Sequence, residues 1–299
     1  MHYADYKTIL SPNNGMNIYR GCTHGCIYCD SRSACYRMDH DFEDIEVKRD
    51  APRILEGQLK RRRGKCMVGT GAMCDPYIHL EEELQMTRQC LLAIERQGFG
   101  VSVLTKSSRI LRDMDVLKAI NRKAKCVVQV TLTTYDEGLC RKIEPNVSTT
   151  FERFQVLKAM EEAGIPTVVW LCPTLPFIND TEENLRGLLG YCAEAKVRGV
   201  LCFGFGVTLR EGDREYFYDA LDRLFPGMRQ RYIERFGDSY ICDSPNSARL
   251  TEVFRGFCEG HGMLHRAEEV IEYTRALEPK GRQSSIFEHP GGTPPAGNG

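Results

Sequence analysis

Six short apolar segments in the first two thirds of the chain constrain its fold more than any other feature. They are rich in β-branched and aromatic residues and cover residues 16–20, 66–70, 101–106, 126–132, 167–172 and 199–205. Segments with helical periodicity lie between them, at residues 79–97, 108–124, 151–163 and 181–197. Strands that alternate with helices build parallel sheets from βαβ units. The pattern therefore predicts an α/β fold, and six units favour a partial (β/α)6 barrel of the TIM type over a flat doubly wound sheet, with the chemistry on loops that follow the strands.

The pattern changes after about residue 210. Four further segments have helical periodicity, at residues 213–225, 228–236, 246–261 and 265–277. They predict a helical C-terminal cap on the barrel. We therefore divide the chain into a core at 1–210, a helical extension of the same domain at 211–280, and a tail at 281–299. The tail is rich in Pro, Gly and Asn, a composition typical of disordered segments.

The charge balance excludes some classes of function. The chain has 299 residues, with 40 basic and 41 acidic side chains and a formal charge of −1. A histone-like binder of nucleic acid would carry a large basic excess. No apolar run approaches the roughly 18 residues that a membrane span needs. The first residues lack the features of a secretion signal, so we expect a cytoplasmic protein whose 14 cysteines are reduced.

Three of these cysteines form a compact motif directly after the first predicted strand. Cys22, Cys26 and Cys29 have the spacing C-x-x-x-C-x-x-C, on a loop with two glycines. Three thiolates within eight residues can converge on one metal centre, and a [4Fe–4S] cluster held by three cysteines keeps one iron open. A zinc site completed by His24 or Cys35 and a set of buried core thiols are the alternatives.

The motif resembles that of the radical S-adenosylmethionine (SAM) enzymes. Residues 17–29, including Tyr28 before the third cysteine, look more narrowly like the spore photoproduct lyase-related (SplB-like) branch, and the likeness extends over about residues 10–260. The resemblance implies a [4Fe–4S] cluster, SAM, and an electron donor such as flavodoxin or ferredoxin. In that family an electron from the cluster cleaves SAM, and the resulting 5′-deoxyadenosyl radical abstracts hydrogen from a substrate.

The same resemblance implies cofactor contacts in the early loops. It places Tyr28 near the adenine of SAM and the Thr70–Gly71 turn near its amino group. Asp75 and Tyr77 resemble the branch's Asp-x-Tyr pattern, which makes Asp75 a candidate cofactor contact and Tyr77 a candidate catalytic residue. An ordinary capped turn before a helix would explain the same residues.

Later loops supply four more candidates. A lysine in the position of Lys106 contacts the SAM carboxylate in the branch, and a charge-assisted pair suits that role. Thr131 and Thr133 share one face of the fourth strand and could bond to SAM, although β-propensity explains them nearly as well. Arg153, downstream of Glu144, matches a Glu-Pro…Arg pattern and is expected to reach the SAM carboxylate.

One departure from the branch concerns hydrogen donation to the product radical. The branch uses a cysteine in the loop after the second strand, at the position of Ala72 in this chain. The nearest thiol is Cys74, two residues later, so Cys74 is a candidate hydrogen donor or a structural thiol. The lyase reaction is therefore not transferred to this chain, although the lyase and transferase classes of radical SAM enzyme both stay open.

The other ten cysteines lack metal-binding spacing, so we predict that they pack in the core and form no auxiliary cluster. The basic run 60–65 falls at a helix end before the second strand, where cations suit the helix dipole better than a nucleic-acid contact.

By family analogy we expect a nucleic acid or a nucleotide-derived substrate. Radical modification of a peptide or small metabolite, and a non-catalytic iron–sulfur or zinc module, are the alternatives.

Overall fold

A computed structural model describes residues 1–277 of the chain. The strands in these residues are two to six residues long. In chain order they are β1 (His2–Ala4), β2 (Gly15–Met16), β3 (Tyr19–Arg20), β4 (Glu46–Lys48), β5 (Met67–Thr70), β6 (Gly100–Thr105), β7 (Cys126–Thr131), β8 (Thr167–Trp170), β9 (Gly199–Leu201), β10 (Gly206–Thr208) and β11 (Ile241–Asp243).

Six strands form one parallel sheet in the order β2-β5-β6-β7-β8-β9. Thr105 is in register with Val130, and Thr131 is in register with Trp170, so the carboxyl ends of neighbouring strands lie together. The spatial order follows the chain order. Right-handed crossovers then place every connecting helix on the same face, as in a partial (β/α)6 barrel. The predicted α/β fold with a six-stranded parallel sheet is confirmed.

The helices of the described residues lie mainly between these strands. In chain order they are α1 (Ala51–Arg61), α2 (Glu81–Leu84), α3 (Met86–Gln97), α4 (Met114–Lys123), α5 (Glu137–Ile143), α6 (Thr150–Glu162), α7 (Glu182–Glu194), α8 (Asp213–Leu224), α9 (Met228–Phe236), α10 (Ser247–Gly260) and α11 (Ala267–Arg275). The start of α7 follows the sequence signal, because the Thr181 hydroxyl accepts a hydrogen bond from the Asn184 amide at 3.1 Å.

The first predicted strand, 16–20, is divided between two sheets. Its start pairs as β2 with β5, whereas its end pairs as β3 with β4 in a separate sheet of order β1-β4-β3. This division turns the chain out of the barrel sheet just before the cysteine motif. The sequence analysis did not predict β1 and β4, because three-residue strands have no recognisable alternation.

Two predicted helices are also interrupted. The helix expected at 79–97 breaks at Gln85, whose φ is +49°, and restarts as α3. The Glu81 carboxylate accepts a hydrogen bond from the Thr87 amide at 2.9 Å, which compensates for the break. The segment expected as a helix at 108–124 begins with a 3₁₀ turn at Ser108–Asp113. The Ser107 hydroxyl caps that turn by accepting a hydrogen bond from Arg109.

The four helices expected after residue 210 are present as α8 to α11. The sequence analysis did not predict β11, which pairs antiparallel with β10 and returns the chain to the barrel mouth. The tail at 281–299 lies outside the described residues, and the division of the chain at residue 210 stays a prediction. Among the residues described, no helix is long and apolar enough to cross a membrane.

The C-terminal helices share a second core with the cysteine loop. Cys26, Ile27 and Tyr28 pack in it with α8 and α9, apart from the main core around the barrel sheet. Just after the loop, the Arg32 guanidinium lies 4.2 Å from the ring centroid of Phe42. The same guanidinium lies 3.7 Å from the ring centroid of Tyr216 in α8. The C-terminal helices therefore hold the segment that carries the cysteines.

Candidate active site

A cavity of about 710 Å³ opens at the carboxyl ends of the barrel strands. Residues at the ends of β5 to β9 and in the loops that follow them line it together with the cysteine loop. This is the end of a (β/α) barrel at which active sites are built. Among the sequence candidates, the cavity lining includes Cys22, Cys26, Cys29, Tyr28, Gly71, Cys74, Asp75, Lys106 and Thr131.

The backbone of the cysteine loop is fixed at both ends. Gly21 has φ of +85°, and a Cβ there would lie 2.4 Å from the Phe42 carbonyl oxygen, so only glycine fits without a shift. The Cys22 amide donates to that same carbonyl at 3.0 Å. The Ile27 amide donates to the Ile143 carbonyl at 3.0 Å. These contacts orient the loop so that the three motif cysteines face one cavity.

The three thiols line one cavity, in an environment suited to a thiolate-ligated group. Burial raises the pKa of the Cys26 thiol, and the positive charge of Lys106 opposes that shift. A hydrogen bond with Cys74 lowers the pKa of Cys22 well below its usual value. Three convergent sulfur ligands beside a lysine fit an iron–sulfur cluster with one iron free for a further ligand.

Asp75 connects the loop after β5 to the end of β6. Its carboxylate accepts hydrogen bonds from the Thr105 hydroxyl at 2.7 Å, the Tyr77 amide at 2.8 Å and the Lys106 amide at 2.7 Å. The Nδ1 atom of His24 lies 3.5 Å from the same carboxylate. Both carboxylate oxygens therefore have protein partners, and Asp75 fixes the floor of the cavity.

Lys106 supplies the cation of this floor. Its Nζ atom lies 5.9 Å from the Tyr28 ring centroid. Burial lowers the pKa of Lys106, but the neighbouring Cys26 and Glu144 outweigh that effect and the pKa is raised. Within residues 1–277, no carboxylate oxygen lies within 4.0 Å of its Nζ. The ammonium group therefore remains charged and available to an anionic ligand.

A profile of the Radical SAM superfamily matches residues 16–189, more than half of the chain. The chain belongs to the radical SAM superfamily. Members of this superfamily use a [4Fe–4S] cluster and SAM, so these are the cofactors of the chain. The donor set described above fits both groups: three thiols for the cluster, and a lysine with a threonine-bearing strand end for the polar parts of SAM.

The protein also resembles two uncharacterized proteins and a number of solved structures. It is 31% identical to an uncharacterized protein of Mycobacterium tuberculosis over 229 residues, which cover 74% of this chain and 66% of the relative. It is 30% identical to an uncharacterized protein of Methanocaldococcus jannaschii over 169 residues, which cover 56% of this chain and 62% of that one. The chain thus spans less than two thirds of either relative.

Among solved structures, spore photoproduct lyase complexed with dinucleoside spore photoproduct has a TM-score of 0.59 to this chain. The two share 14% sequence identity, and the superposition covers 83% of this chain and 74% of the lyase. At this identity the likeness shows a common fold, which agrees with the partial barrel described above.

Four sequence candidates of this radical SAM protein do not line the cavity. Thr70, Tyr77, Thr133 and Arg153 are all buried, and none is among the lining residues. The Tyr77 hydroxyl donates to the carboxylate of Asp113, the residue before α4, at 3.0 Å. Their cofactor and catalytic roles stay predictions.

Arg153 lies behind the cavity wall rather than in it. The Arg153 side chain pairs with Glu144, and both are fully buried. Its Nη1 atom donates to the Thr131 carbonyl at 2.7 Å. The guanidinium is therefore directed at protein acceptors, whereas the sequence pattern predicts that it reaches the SAM carboxylate.

Several residues at the cavity mouth were not predicted as site residues. Trp170 ends β8, Cys172 and Phe203 follow β8 and β9, and Arg210 and Tyr240 flank the pair β10–β11. Cys172, which the sequence analysis assigned to the core, therefore lines the cavity. Phe203 is 61% exposed, an unusual state for a phenylalanine ring. The sequence could have indicated Trp170, Cys172 and Phe203, because they lie near the ends of predicted strands, where barrel enzymes place functional groups. Arg210 and Tyr240 come together only through the unpredicted strand β11.

The basic run 60–65 makes local contacts away from the cavity. It starts at the end of α1, and the Lys65 ammonium donates to the Gln97 carbonyl at 2.7 Å. The Arg62 guanidinium donates to Asn14 and to Cys66. These contacts agree with the interpretation of the run as a structural helix end.

Proposed function

We propose that this radical SAM enzyme cleaves SAM reductively and uses the resulting radical to modify or repair a nucleic acid or a nucleotide-derived substrate. The observation that carries the proposal is that Cys22, Cys26, Cys29, Lys106 and Thr131 all line one cavity. In the proposal the cysteines supply cluster ligands, and Lys106 and Thr131 supply polar groups for SAM.

When the cluster and SAM are bound, they supply a 5′-deoxyadenosyl radical that abstracts a hydrogen atom from a substrate. In the proposal, Cys22, Cys26 and Cys29 hold the cluster. Lys106 offers its ammonium to the SAM carboxylate, and Tyr28 walls the adenine side. Asp75 keeps the loops after β5 and β6 in place through its three hydrogen bonds. A flavodoxin or ferredoxin is the proposed electron donor.

The aromatic mouth of the cavity supports a substrate with planar groups. Trp170 and Phe203 meet edge to face with ring centroids 5.9 Å apart. The Trp170 indole is fixed by a hydrogen bond to Gln129 at 2.7 Å. Exposed aromatic faces stack on the bases of single-stranded nucleic acid with little dependence on sequence. Spore photoproduct lyase, which shares the fold, binds a dinucleoside, and this supports the same substrate class here.

The lyase reaction itself is not part of the proposal. Ala72 stands where the lyase branch has its hydrogen-donating cysteine. The Cys74 thiol, two residues on, donates to the Gly21 carbonyl at 2.8 Å and contacts Cys22. It therefore lies at the cluster side of the cavity, away from the aromatic mouth.

Anaerobic reconstitution tests the cofactor sites. The wild type should bind about four irons and four sulfides, and reduction with SAM should yield 5′-deoxyadenosine. Cys22→Ala should lose the cluster, whereas Cys74→Ala should keep it. A colourless wild type with stoichiometric zinc, or equal loss of iron in both variants, would contradict the assignment.

Label transfer tests the substrate class. Deuterated oligonucleotides and nucleotides, deuterated peptides and a deuterated metabolite extract are offered separately to the reduced enzyme with SAM. We expect label in 5′-deoxyadenosine only from the nucleic-acid set. Transfer from peptides or metabolites would replace the proposed substrate class and leave the radical chemistry standing. No 5′-deoxyadenosine under any reductant would favour a non-catalytic cluster-binding module.

A further inference from the structure

A buried ion pair lies directly behind the cavity wall. Glu144 follows α5, Arg153 lies in the first turn of α6, and both side chains are fully buried. The Arg153 guanidinium donates to the Glu144 carboxylate. The start of α6 is fixed by a capping box, in which Thr149 and Glu152 exchange side-chain and backbone hydrogen bonds. The position of Arg153 is therefore set by its helix.

This pair contacts two residues that do line the cavity. The Tyr28 hydroxyl donates to the Glu144 carboxylate, and Arg153 Nη1 donates to the Thr131 carbonyl at 2.7 Å. Tyr28 comes from the cysteine loop, and Thr131 ends β7. One ion pair therefore connects the cysteine loop with the end of β7.

Stability alone is a poor explanation of such a pair. Removing two charges from water costs several kcal/mol per ion, and replacement of a buried pair by apolar groups is often neutral or stabilising. The hydrogen-bonding capacity of Arg153 is nevertheless well used, because it also donates to Cys140 Sγ at 3.2 Å and to the Thr149 carbonyl at 3.4 Å. A fully satisfied buried network holds one arrangement of the groups it touches.

We infer that Glu144 and Arg153 are positioning residues that hold the Tyr28 ring and the Thr131 strand end in one fixed relation, and so set the shape of the SAM side of the cavity. The inference rests on the proposed function, in which Tyr28 and Thr131 contact SAM. It gives Arg153 a role through other residues, in place of the direct carboxylate contact predicted from the sequence.

A double-mutant cycle tests the inference. Tyr28→Phe removes only the hydroxyl that reaches Glu144, and Arg153→Lys removes the planar fork that joins Glu144 to Thr131. Each single variant of the reconstituted holoenzyme should weaken SAM binding about tenfold, the size expected for losing a hydrogen bond to a charged group. The Kd of the double variant for SAM should be no higher than that of the single variant with the higher Kd. The reason is that both substitutions break the same connection between Tyr28 and Thr131. Calorimetry gives the Kd, and iron content should stay at the wild-type level.

Arg112→Lys is the matched control. Arg112 also pairs with buried carboxylates, those of Glu81 and Asp113, but it does not reach the cavity. It should lower the melting temperature and leave the Kd for SAM unchanged. An unchanged Kd in Tyr28→Phe, or additive losses in the double variant, would overturn the inference.

The outcomes separate this inference from the proposed function. A wild type that binds no SAM would overturn the proposed function before any variant is compared. A wild type that binds SAM, with variants that differ only in melting temperature, would overturn the inference alone. If Arg153→Lys fails to fold, the Kd of Tyr28→Phe still decides, since that variant keeps the ion pair intact.

Discussion

Single residues fix the two loops that face each other across the cavity. Gly21 turns the cysteine loop against the Phe42 carbonyl, and Gly71 brings the loop after β5 against β6. Asp75 then bonds that second loop to Thr105 and Lys106. Each of these residues fixes the position of a loop backbone. A substitution at any of them should therefore act mainly by changing the shape of the cavity.

Gly71→Ala should disrupt the loop after β5. Gly71 has φ of +101°, and an added Cβ would lie 1.9 Å from the Leu104 carbonyl oxygen. Strained backbone of this kind costs on the order of 1–3 kcal/mol, before the clash is counted. Denaturant unfolding should show at least that loss, with weaker SAM binding. Gly69→Ala, two residues earlier in β5, has no neighbour within 4 Å of the new Cβ and should be near neutral. Equal losses in the two variants would contradict the argument.

At the scale of elements, apolar patterns predicted the six strands of the parallel sheet and the helical segments that contain α3, α4, α6 and α7. The sequence analysis gave no range for α1 and did not predict α5, nor the three-residue strands β1, β4, β10 and β11. It also did not predict the break at Gln85, where a buried carboxylate from Glu81 takes over the hydrogen bonds of the helix. Short elements are determined by their partners, which a single sequence does not identify.

The start of α8 contains a titratable group whose effect on stability depends on pH. Burial raises the pKa of Asp213, the first residue of α8, to about 6, and the charge of Asp30 adds to the shift. The pKa of this carboxyl is higher in the folded than in the unfolded chain, so its contribution to the free energy of unfolding is fully present below the pKa that it has in the unfolded chain. That contribution is lost as the pH rises through about 6. The folded protein therefore carries a buried charge at pH 8 that it does not carry at pH 4.

Asp213→Asn should remove this cost. The amide oxygen can still accept the hydrogen bond that the Arg210 amide donates at 2.6 Å. Relative to the wild type, the variant should gain on the order of 1–3 kcal/mol between pH 5 and pH 8 in unfolding experiments. Asp238→Asn, at an exposed carboxyl, is the matched substitution against which the gain is measured. A gain that is the same at both pH values would mean that Asp213 does not titrate in this range.

Viewed as a whole molecule, the barrel and the C-terminal helices jointly form the site. The motif predicted the three cysteines, and the parallel sheet brought Lys106 and Thr131 to the same cavity because they end neighbouring strands. The sequence pattern did not reveal that Arg153 lies behind the cavity wall, since its partner Glu144 and its acceptor Thr131 are adjacent only after the chain folds. It also did not reveal the core that α8 and α9 share with the cysteine loop.

Phe217→Ala should affect the cluster as well as the fold. Phe217 is fully buried in the second core, which also contains Cys26 and Tyr28. Deleting a buried phenylalanine side chain costs about 3–5 kcal/mol. We expect that loss, together with reduced iron retention in the reconstituted protein.

Phe254→Ala provides the comparison for Phe217→Ala. Phe254 lies in α10 and is buried beside Phe205 in the main core, outside the second core that contains Cys26 and Tyr28. Its loss should destabilise the protein by a similar amount while iron content stays at the wild-type level, measured well below the melting temperature. Equal iron loss in the two variants would show that global stability alone governs the cluster.

The position of Arg32 between the rings of Phe42 and Tyr216 has a consequence for how such proteins diverge. The guanidinium of the segment after the third cysteine contacts one ring from the N-terminal part of the chain and one from α8, 174 residues apart in the sequence. A new side chain at residue 32 therefore selects for a new one at residue 216, so the two positions should change together among relatives. Chimaeras that join the barrel of one relative to the C-terminal helices of another should assemble only when this trio is inherited as a unit.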